Sequence, residues 1–272
     1  MRIRITHDTI YRYDQPVRSA IQLLRLTPRG YDGQRVVNWA IETEADARLI
    51  RRDDWYGNVM HTLYATGPAS EIALHVKGEV ETEDTAGVIR GAMERFPEAF
   101  YLRDTPLTAT NLAMRDFAEH AVGPLANPLD RAHSLMNAIF ERLQFDTDAT
   151  DSTTSAVDAF EAGHGVCQDF THIYIACARH LGTPARYVSG YLHKPDQIEQ
   201  NAGHAWVETF IDELGWVSFD VTNGVSATEH YVRIATGLDY RDAAPVRGSF
   251  YGAAREDLDV HLTVEGARQT QS

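Results

Sequence analysis

Cysteine is scarce in this chain: of 272 residues only Cys167 and Cys177 carry a thiol. Two is too few for a disulfide scaffold. Both lie in one segment of helical spacing, so a bond between them is not expected. Long apolar runs are missing as well. No stretch has the length and apolarity of a membrane span, and no membrane partner is expected. The opening residues, Met1-Arg2-Ile3-Arg4-Ile5-Thr6-His7-Asp8, lack the apolar centre and small-residue cleavage site of a signal peptide. A cytoplasmic location is the expectation. Clusters of positive charge are absent too. The formal net charge is −14, and the basic residues are scattered, as where Arg51 and Arg52 adjoin Asp53 and Asp54. A nucleic-acid backbone requires grouped Lys and Arg, so nucleic acid is excluded as a partner. An acidic surface favours solubility without naming a substrate. There is no phosphate-cradling loop and no dinucleotide fingerprint. His164, Cys167 and His172 do not have the spacing of a tetrahedral metal set. Neither a cofactor nor a metal is expected.

What is present is ordinary apolar content and enough length for one large domain or two modest ones. Disorder is expected only in the small, polar tail, residues 267–272. At the start, Ile3, Ile5, His7, Thr9, Tyr11 and Tyr13 alternate with polar residues, which is a strand signal. Further strands are predicted over 36–43, 58–66 and 72–80. Turns at Pro28-Arg29-Gly30, Asp32-Gly33 and Gly67-Pro68 separate them. After about Thr85 the spacing becomes helical. Leu129, Ala132, Leu135, Met136, Ile139 and Leu143 recur at three and four, and a second helix is predicted over 111–120. The expected division is an all-β domain, residues 1–87, and a core with C-terminal strands, residues 88–272.

The chemistry lies further on. In Gly163-His164-Gly165-Val166-Cys167-Gln168-Asp169 a glycine-rich loop becomes a helix, which Gly182 and Pro184 close. At a first helical turn the unpaired N–H groups and the macrodipole favour a thiolate. Taken alone, a buried structural thiol is the commoner fate of an isolated Cys. Cys177, among apolar residues in mid-helix, fits that description. His204 opens a predicted strand over 204–211. Asp220 lies in the next, over 216–222, after the loop Asp212-Glu213-Leu214-Gly215. A Cys nucleophile needs a base, and the base needs an orienting acceptor. His204 and Asp220 share a sheet face only if paired residue numbers sum to an even value, which requires a loop of three or five residues, or a bulge at Gly215. That face is expected to be the one toward the helix bearing Cys167.

These blocks, Gly-Val-Cys167-Gln-Asp-Phe, Arg179-His180-Leu181-Gly182-Thr183-Pro184, His204-Ala205-Trp206-Val207-Glu208 and Gly215-Trp216-Val217-Ser218-Phe219-Asp220, together resemble the bacterial transglutaminase-like family. Its members are commonly described as candidate cysteine proteases. Tyr11-Arg12-Tyr13 and Trp55-Tyr56-Gly57-Asn58 resemble its N-terminal domain, and Gly237-Leu238-Asp239-Tyr240 its C-terminal section. The resemblance implies an α+β fold: a papain-like core with an antiparallel sheet and a nucleophile-bearing helix, preceded by a small, sandwich-like β domain. It implies Cys167 as nucleophile, His204 as base and Asp220 as orienter. One departure is Val221, where the family commonly has Pro; Val is expected to extend the strand without loss of the triad.

Other residues near these blocks have plainer roles. Asp169 is expected to cap the helix, and Gln168 to make a backbone or core contact. Glu161 stands where an oxyanion glutamine might be sought and is a poor donor. Residues 143–146 are a candidate for the second oxyanion donor by resemblance alone. The implied activity is acyl transfer through a thioester. Hydrolysis of a peptide or protein amide is expected, with transamidation as one alternative and a catalytically silent scaffold as another. No calcium loop is apparent. Oligomeric state is not addressed by the sequence.

Overall fold

The computed structural model describes residues 1–147 and 150–266; the tail for which composition predicts disorder lies outside them. The chain opens with β1 (Arg2–Thr27), β2 (Gln34–Thr43), β3 (Ala47–Asp53) and β4 (Val59–Thr82), then β5 (Val88–Ile89). The middle holds α1 (Leu112–Val122), α2 (Pro128–Arg142), β6 (Gln144–Phe145), α3 (Ala156–Ala162), β7 (His164–Gly165) and α4 (Cys167–His180). Next come β8 (Ala185–Leu192), β9 (Glu199–Gln200), β10 (His204–Ile211), β11 (Gly215–Asp220) and β12 (Val225–Ser226). The chain ends with β13 (Tyr231–Gly237), α5 (Tyr240–Ala243), β14 (Val246–Tyr251) and β15 (Glu256–Gly266). Among the described residues no helix is long and apolar enough to cross a membrane.

The alternation in β1 does what the pleat requires: Ile3, Ile5, His7, Thr9, Tyr11 and Tyr13 are all buried. The strands predicted over 58–66 and 72–80 are two halves of one long strand, β4. Gly67-Pro68, predicted as a turn, lies inside it, where pairing with β1 shifts register around Val17. The backbone of Val17 and Arg18 occupies the space a Cβ at Gly67 would need. The two strands therefore approach closely at a bulge, which bends the sheet without ending it. Tyr11, Tyr13 and Leu74 from one half pack with Leu24 and Leu63 from the other inside the bend.

The first sheet has the order β2-β4-β1-β15-β9, with β3 on β4 and β14 on β1. This corrects the expected division at residue 87. β13 stays in the sheet of the later core, but β14 and β15 join the first sheet; β15 pairs with β1 from Ile3↔Gly266 to Tyr13↔Glu256. Without it, one side of β1 would be an open edge of unpaired backbone groups. Ile3, Ile5 and Val80 also join the same apolar core as the helices, so both parts of the chain share a core.

The second sheet is antiparallel, in the order β12-β11-β10-β8-β13, with β5 on β11. Its Ala205, Val207, Val217 and Phe219 pack into the helix layer, and Tyr174 of α4 stacks on Phe219 at 6.1 Å. The helices begin where the sequence supplies caps. Asn111 accepts from the Met114 N–H, Asn127 precedes Pro128, and Ser155 forms a capping box with Asp158.

The opposite sheet face carries charge. Glu208 is fully buried between two guanidinium groups: Arg186 donates to it at 2.6 Å and Arg233 at 2.7 Å. Arg186 also donates to Glu94 at 2.6 Å and lies over the Trp216 ring at 3.9 Å. Burial alone would raise the Glu208 pKa, but Arg233 and Arg186 more than offset this and hold it at about 2. Replacing Glu208 with Ala takes the carboxylate from Arg233 and leaves Arg186 with Glu94 alone, and we expect a loss of about 3–5 kcal/mol of stability in urea unfolding. Because the folded pKa lies below the ordinary value of 4.5, the Glu208 contribution is present above that value. It is lost as pH falls through about 2. Acid unfolding of the parent should steepen in that window, and Glu208→Gln should remove this component.

Candidate active site

The loop before Cys167 is held on both sides. Gly163 ends α3 in the left-handed conformation, with φ of 77°, a cost-free position only for glycine. β7 then pairs in parallel with β6. A Cβ on Gly165 would sit 2.6 Å from an Asp169 carboxylate oxygen, so this glycine lets the loop close on the helix. Asp169 accepts from the Val166 N–H at 2.8 Å and the Thr150 hydroxyl at 2.7 Å. It is thus the N-terminal capping group that the sequence suggested. Burial raises its pKa.

Cys167 follows as the first residue of α4 and is partly exposed. Its N–H stands at a position with no intrahelical acceptor. Cys177 is fully buried, and burial pushes its thiol up to about 12, where a thiolate does not form at neutral pH.

β10 and β11 pair as Val207↔Phe219 through Ile211↔Gly215, closing a three-residue loop, Asp212-Glu213-Leu214. Glu213 and Gly215 absorb the reversal with positive φ of 72° and 85°. The paired numbers sum to an even value, so His204 and Asp220 share a face. The face differs from the expected one. Ala205, Val207 and Phe219 point into the helix layer, whereas Trp206 packs on the other side with Tyr231 and Ala227. By alternation, His204 and Asp220 lie on that second side. They meet Cys167 at the sheet's end, where β10 and α4 both begin.

His204 Nε2 lies 2.6 Å from Asp220 Oδ2, and the Cys167 side chain is within hydrogen-bonding reach of the same imidazole. Asp220 is fully buried and richly solvated by protein. Oδ2 also accepts from Asn223 Nδ2 at 2.6 Å and the Tyr231 hydroxyl at 2.7 Å. Oδ1 accepts from the Thr222 and Asn223 N–H groups at 3.1 and 3.2 Å. Burial opposes its charge, but His204 and these donors lower its pKa overall. Burial likewise opposes the imidazolium, and Asp220 with Cys167 more than offsets it, pushing His204 up to about 10. The buried carboxylate and imidazole thus hold an ion pair at neutral pH.

Val221 does not extend the strand. β11 ends at Asp220, because its carboxylate captures the Thr222 and Asn223 N–H groups and turns the chain. Val221 is simply buried. Gln168 donates weakly to the Asp151 carbonyl at 3.4 Å. Glu161 is on the helix surface, accepting from Asn111 at 2.9 Å. The N–H groups of Gln144 and Asp146 are bonded to the Gly163 and Gly165 carbonyls, so they do not serve as the second oxyanion donor. His172 is fully buried, accepts from the Tyr240 N–H at 3.1 Å, and is pushed down to about 3 by burial with Arg179 and Arg241 nearby. Among the described residues no group of His, Cys, Asp and Glu could hold a metal ion. Sequence reasoning assigned nothing to Asn223 or Tyr231. An Asn three residues after a strand-ending Asp is a turn signal that could have revealed the first. Tyr231 lies on β13, which two strands separate from β11 in the sheet, and no local signal points to it.

Two family descriptions match the chain: the transglutaminase-like superfamily over residues 115–221, and the bacterial transglutaminase-like N-terminal region over residues 3–81. An uncharacterized protein of Mycobacterium leprae is 31% identical over 285 residues, spanning 97% of this chain and 98% of the relative. One from Mycobacterium tuberculosis H37Rv is 29% identical over 290 residues, spanning 97% and 92%. Among solved structures, a "Putative Cysteine Protease from Cytophaga hutchinsonii" is similar in fold, with a TM-score of 0.79 and 22% identity. That match covers 99% of this chain and 92% of the other. The chain belongs to the bacterial transglutaminase-like family, with a transglutaminase-like core joined to that family's N-terminal region.

Proposed function

We propose that this protein carries out thiol-dependent acyl transfer at amide bonds, with hydrolysis of a peptide or isopeptide as the reaction, through Cys167, His204 and Asp220. One observation carries the proposal: an imidazole bound to a buried carboxylate at 2.6 Å on one nitrogen, with a helix-opening thiol within reach of the same ring. The Cys167 thiolate adds to the amide carbonyl carbon. Its own N–H, free at the first helical position, donates to the oxyanion. The His204 imidazolium gives its proton to the amide nitrogen as the C–N bond breaks, and a thioester remains on Sγ. Neutral His204 then takes a proton from water, whose oxygen adds to the thioester carbon. Cleavage of the C–S bond releases the acid and restores the ion pair. Asp220 stays ionised throughout and orients the ring. A primary amine in place of water would give transamidation through the same thioester. A reducing compartment such as the cytoplasm suits a catalytic thiol.

Trapping the acyl-enzyme from a peptide library and reading it by mass spectrometry tests the proposal. Adding a primary amine then separates hydrolysis from transamidation by product mass. Cys167→Ala should leave the thermal melt unchanged and abolish both acyl-enzyme and turnover. Iodoacetamide should label Cys167 well before Cys177. Faster labelling of Cys177, or turnover by Cys167→Ala, would overturn the assignment.

Asp220→Asn should fold and lose turnover, by up to roughly four orders of magnitude on the scale of serine triads. It should also change the pH profile. The raised His204 pKa keeps the imidazolium through neutrality, with an alkaline limb near 10. Removing the carboxylate leaves only Cys167 to oppose burial, so that limb should move to lower pH. An unmoved limb would mean that His204 has another partner.

A further inference from the structure

The buried Asp220 carboxylate receives a hydroxyl from a residue that neither the motifs nor the family blocks include. Tyr231 donates to Oδ2 at 2.7 Å, the same oxygen that His204 contacts at 2.6 Å. The Tyr231 ring stands edge-on to Trp206 at 5.4 Å and 6.1 Å from the His204 ring. It therefore touches both the acid and the wall beside the base. Burial, together with the Asp220 charge, raises the phenol's pKa, which keeps its proton and its role as donor.

Tyr231 opens β13, and the segment around it is pinned largely by the N-terminal part of the chain. Gln34, the first residue of β2, is buried and clamps the Arg233 backbone from both sides. Its Nε2 donates to the Arg233 carbonyl at 2.9 Å, and its Oε1 accepts from the Arg233 N–H at 2.8 Å. The Thr82 hydroxyl, at the end of β4, donates to the Glu229 carbonyl. On the other side, the His193 N–H donates to the His230 carbonyl at 2.9 Å, and the two imidazoles meet at 3.1 Å between Nδ1 atoms. The remaining ionisable groups on this sheet face, Glu208, Arg186 and Arg233, are bonded to one another. They leave Asp220 to His204, Thr222, Asn223 and Tyr231.

We propose that Tyr231 is a positioning residue for the triad, and that the N-terminal β region acts on catalysis by holding Tyr231 against Asp220 through Gln34 and Thr82. A hydroxyl on Oδ2 competes with His204 for the carboxylate's electron density. It thereby limits how strongly Asp220 retains the imidazolium proton. Without it the carboxylate binds that proton more tightly, and a more basic imidazole is a poorer acid toward the leaving amine. The N-terminal region then has a role in the chemistry itself, distinct from recruiting a partner.

This inference rests on the thiol–imidazole–carboxylate reading above, and the test separates the two. The rate of Cys167 alkylation by iodoacetamide is followed against pH in the full chain, with urea midpoints measured alongside. In the parent the rate should show an alkaline inflection as His204 loses its proton. Tyr231→Phe should move that inflection up by about half a unit to one unit. It should also lower kcat several-fold with KM little changed. Gln34→Ala should move the inflection in the same direction by less, and should add nothing in a Tyr231→Phe background. Thr82→Val supplies the same test if Gln34→Ala does not fold. An inflection unchanged in a folded Tyr231→Phe protein overturns the role of Tyr231. Full additivity of the two changes overturns the route through Gln34. A parent that alkylates as an isolated thiol, with no alkaline inflection, overturns the triad and this inference together.

Discussion

His204 and Asp220 lie 16 residues apart along the chain, and they meet because of the length of one loop. Three residues between β10 and β11 make the paired numbers sum to an even value. A loop one residue longer or shorter, without a compensating bulge, would turn Asp220 to the opposite face. The imidazole would then be buried without a carboxylate, and burial alone favours its neutral form. The glycine turn, the Asp169 cap and the start of α4 bring a thiol to an imidazole whose carboxylate partner this register supplies.

The two faces of the second sheet have different tasks. The helix side is apolar, with Ala205, Val207 and Phe219 facing Tyr174 and its neighbours. The other side holds Glu208, Arg186, Arg233, Asp220 and His204, nearly all removed from water. Burying so much charge is costly unless each group finds its counter-charge and its hydrogen bonds. Here the partners come from far along the chain: Glu94 for Arg186, Gln34 for the Arg233 backbone, Tyr231 for Asp220. The N-terminal sheet borders this polar face, and a break between the two parts would expose paired charges as well as apolar surface.

Much of the local structure was legible. Alternation in the first residues marked β1 because the pleat repeats every two residues. Spacing of three and four marked α2. The even-sum requirement followed from the pleat alone. Most of what failed depended on contacts between distant parts of the chain, while the end of β11 turned on a side chain competing locally for backbone N–H groups. Gly67-Pro68 reads as a turn locally, yet the backbone of Val17 and Arg18 beside it makes it a bulge in a continuous strand. The last two strands look like a continuation of the core, yet the open edge of β1 takes them. Val221 was expected to lengthen β11, but the carboxylate before it captured the next N–H groups.

The sequence by itself determined which side chains could do chemistry and which elements carry them. A thiol after a glycine loop, a histidine opening a strand and an aspartate on the following strand are properties of short windows, where local backbone preferences decide. Only the tertiary structure decided on which side of the sheet the pair lies and that the thiol meets it at the sheet's end. It also decided that Tyr231 and the N-terminal strands complete the carboxylate's surroundings. Those outcomes are set by how two sheets and a helix layer pack, and by the need to satisfy every buried charge, neither of which any short stretch of sequence encodes.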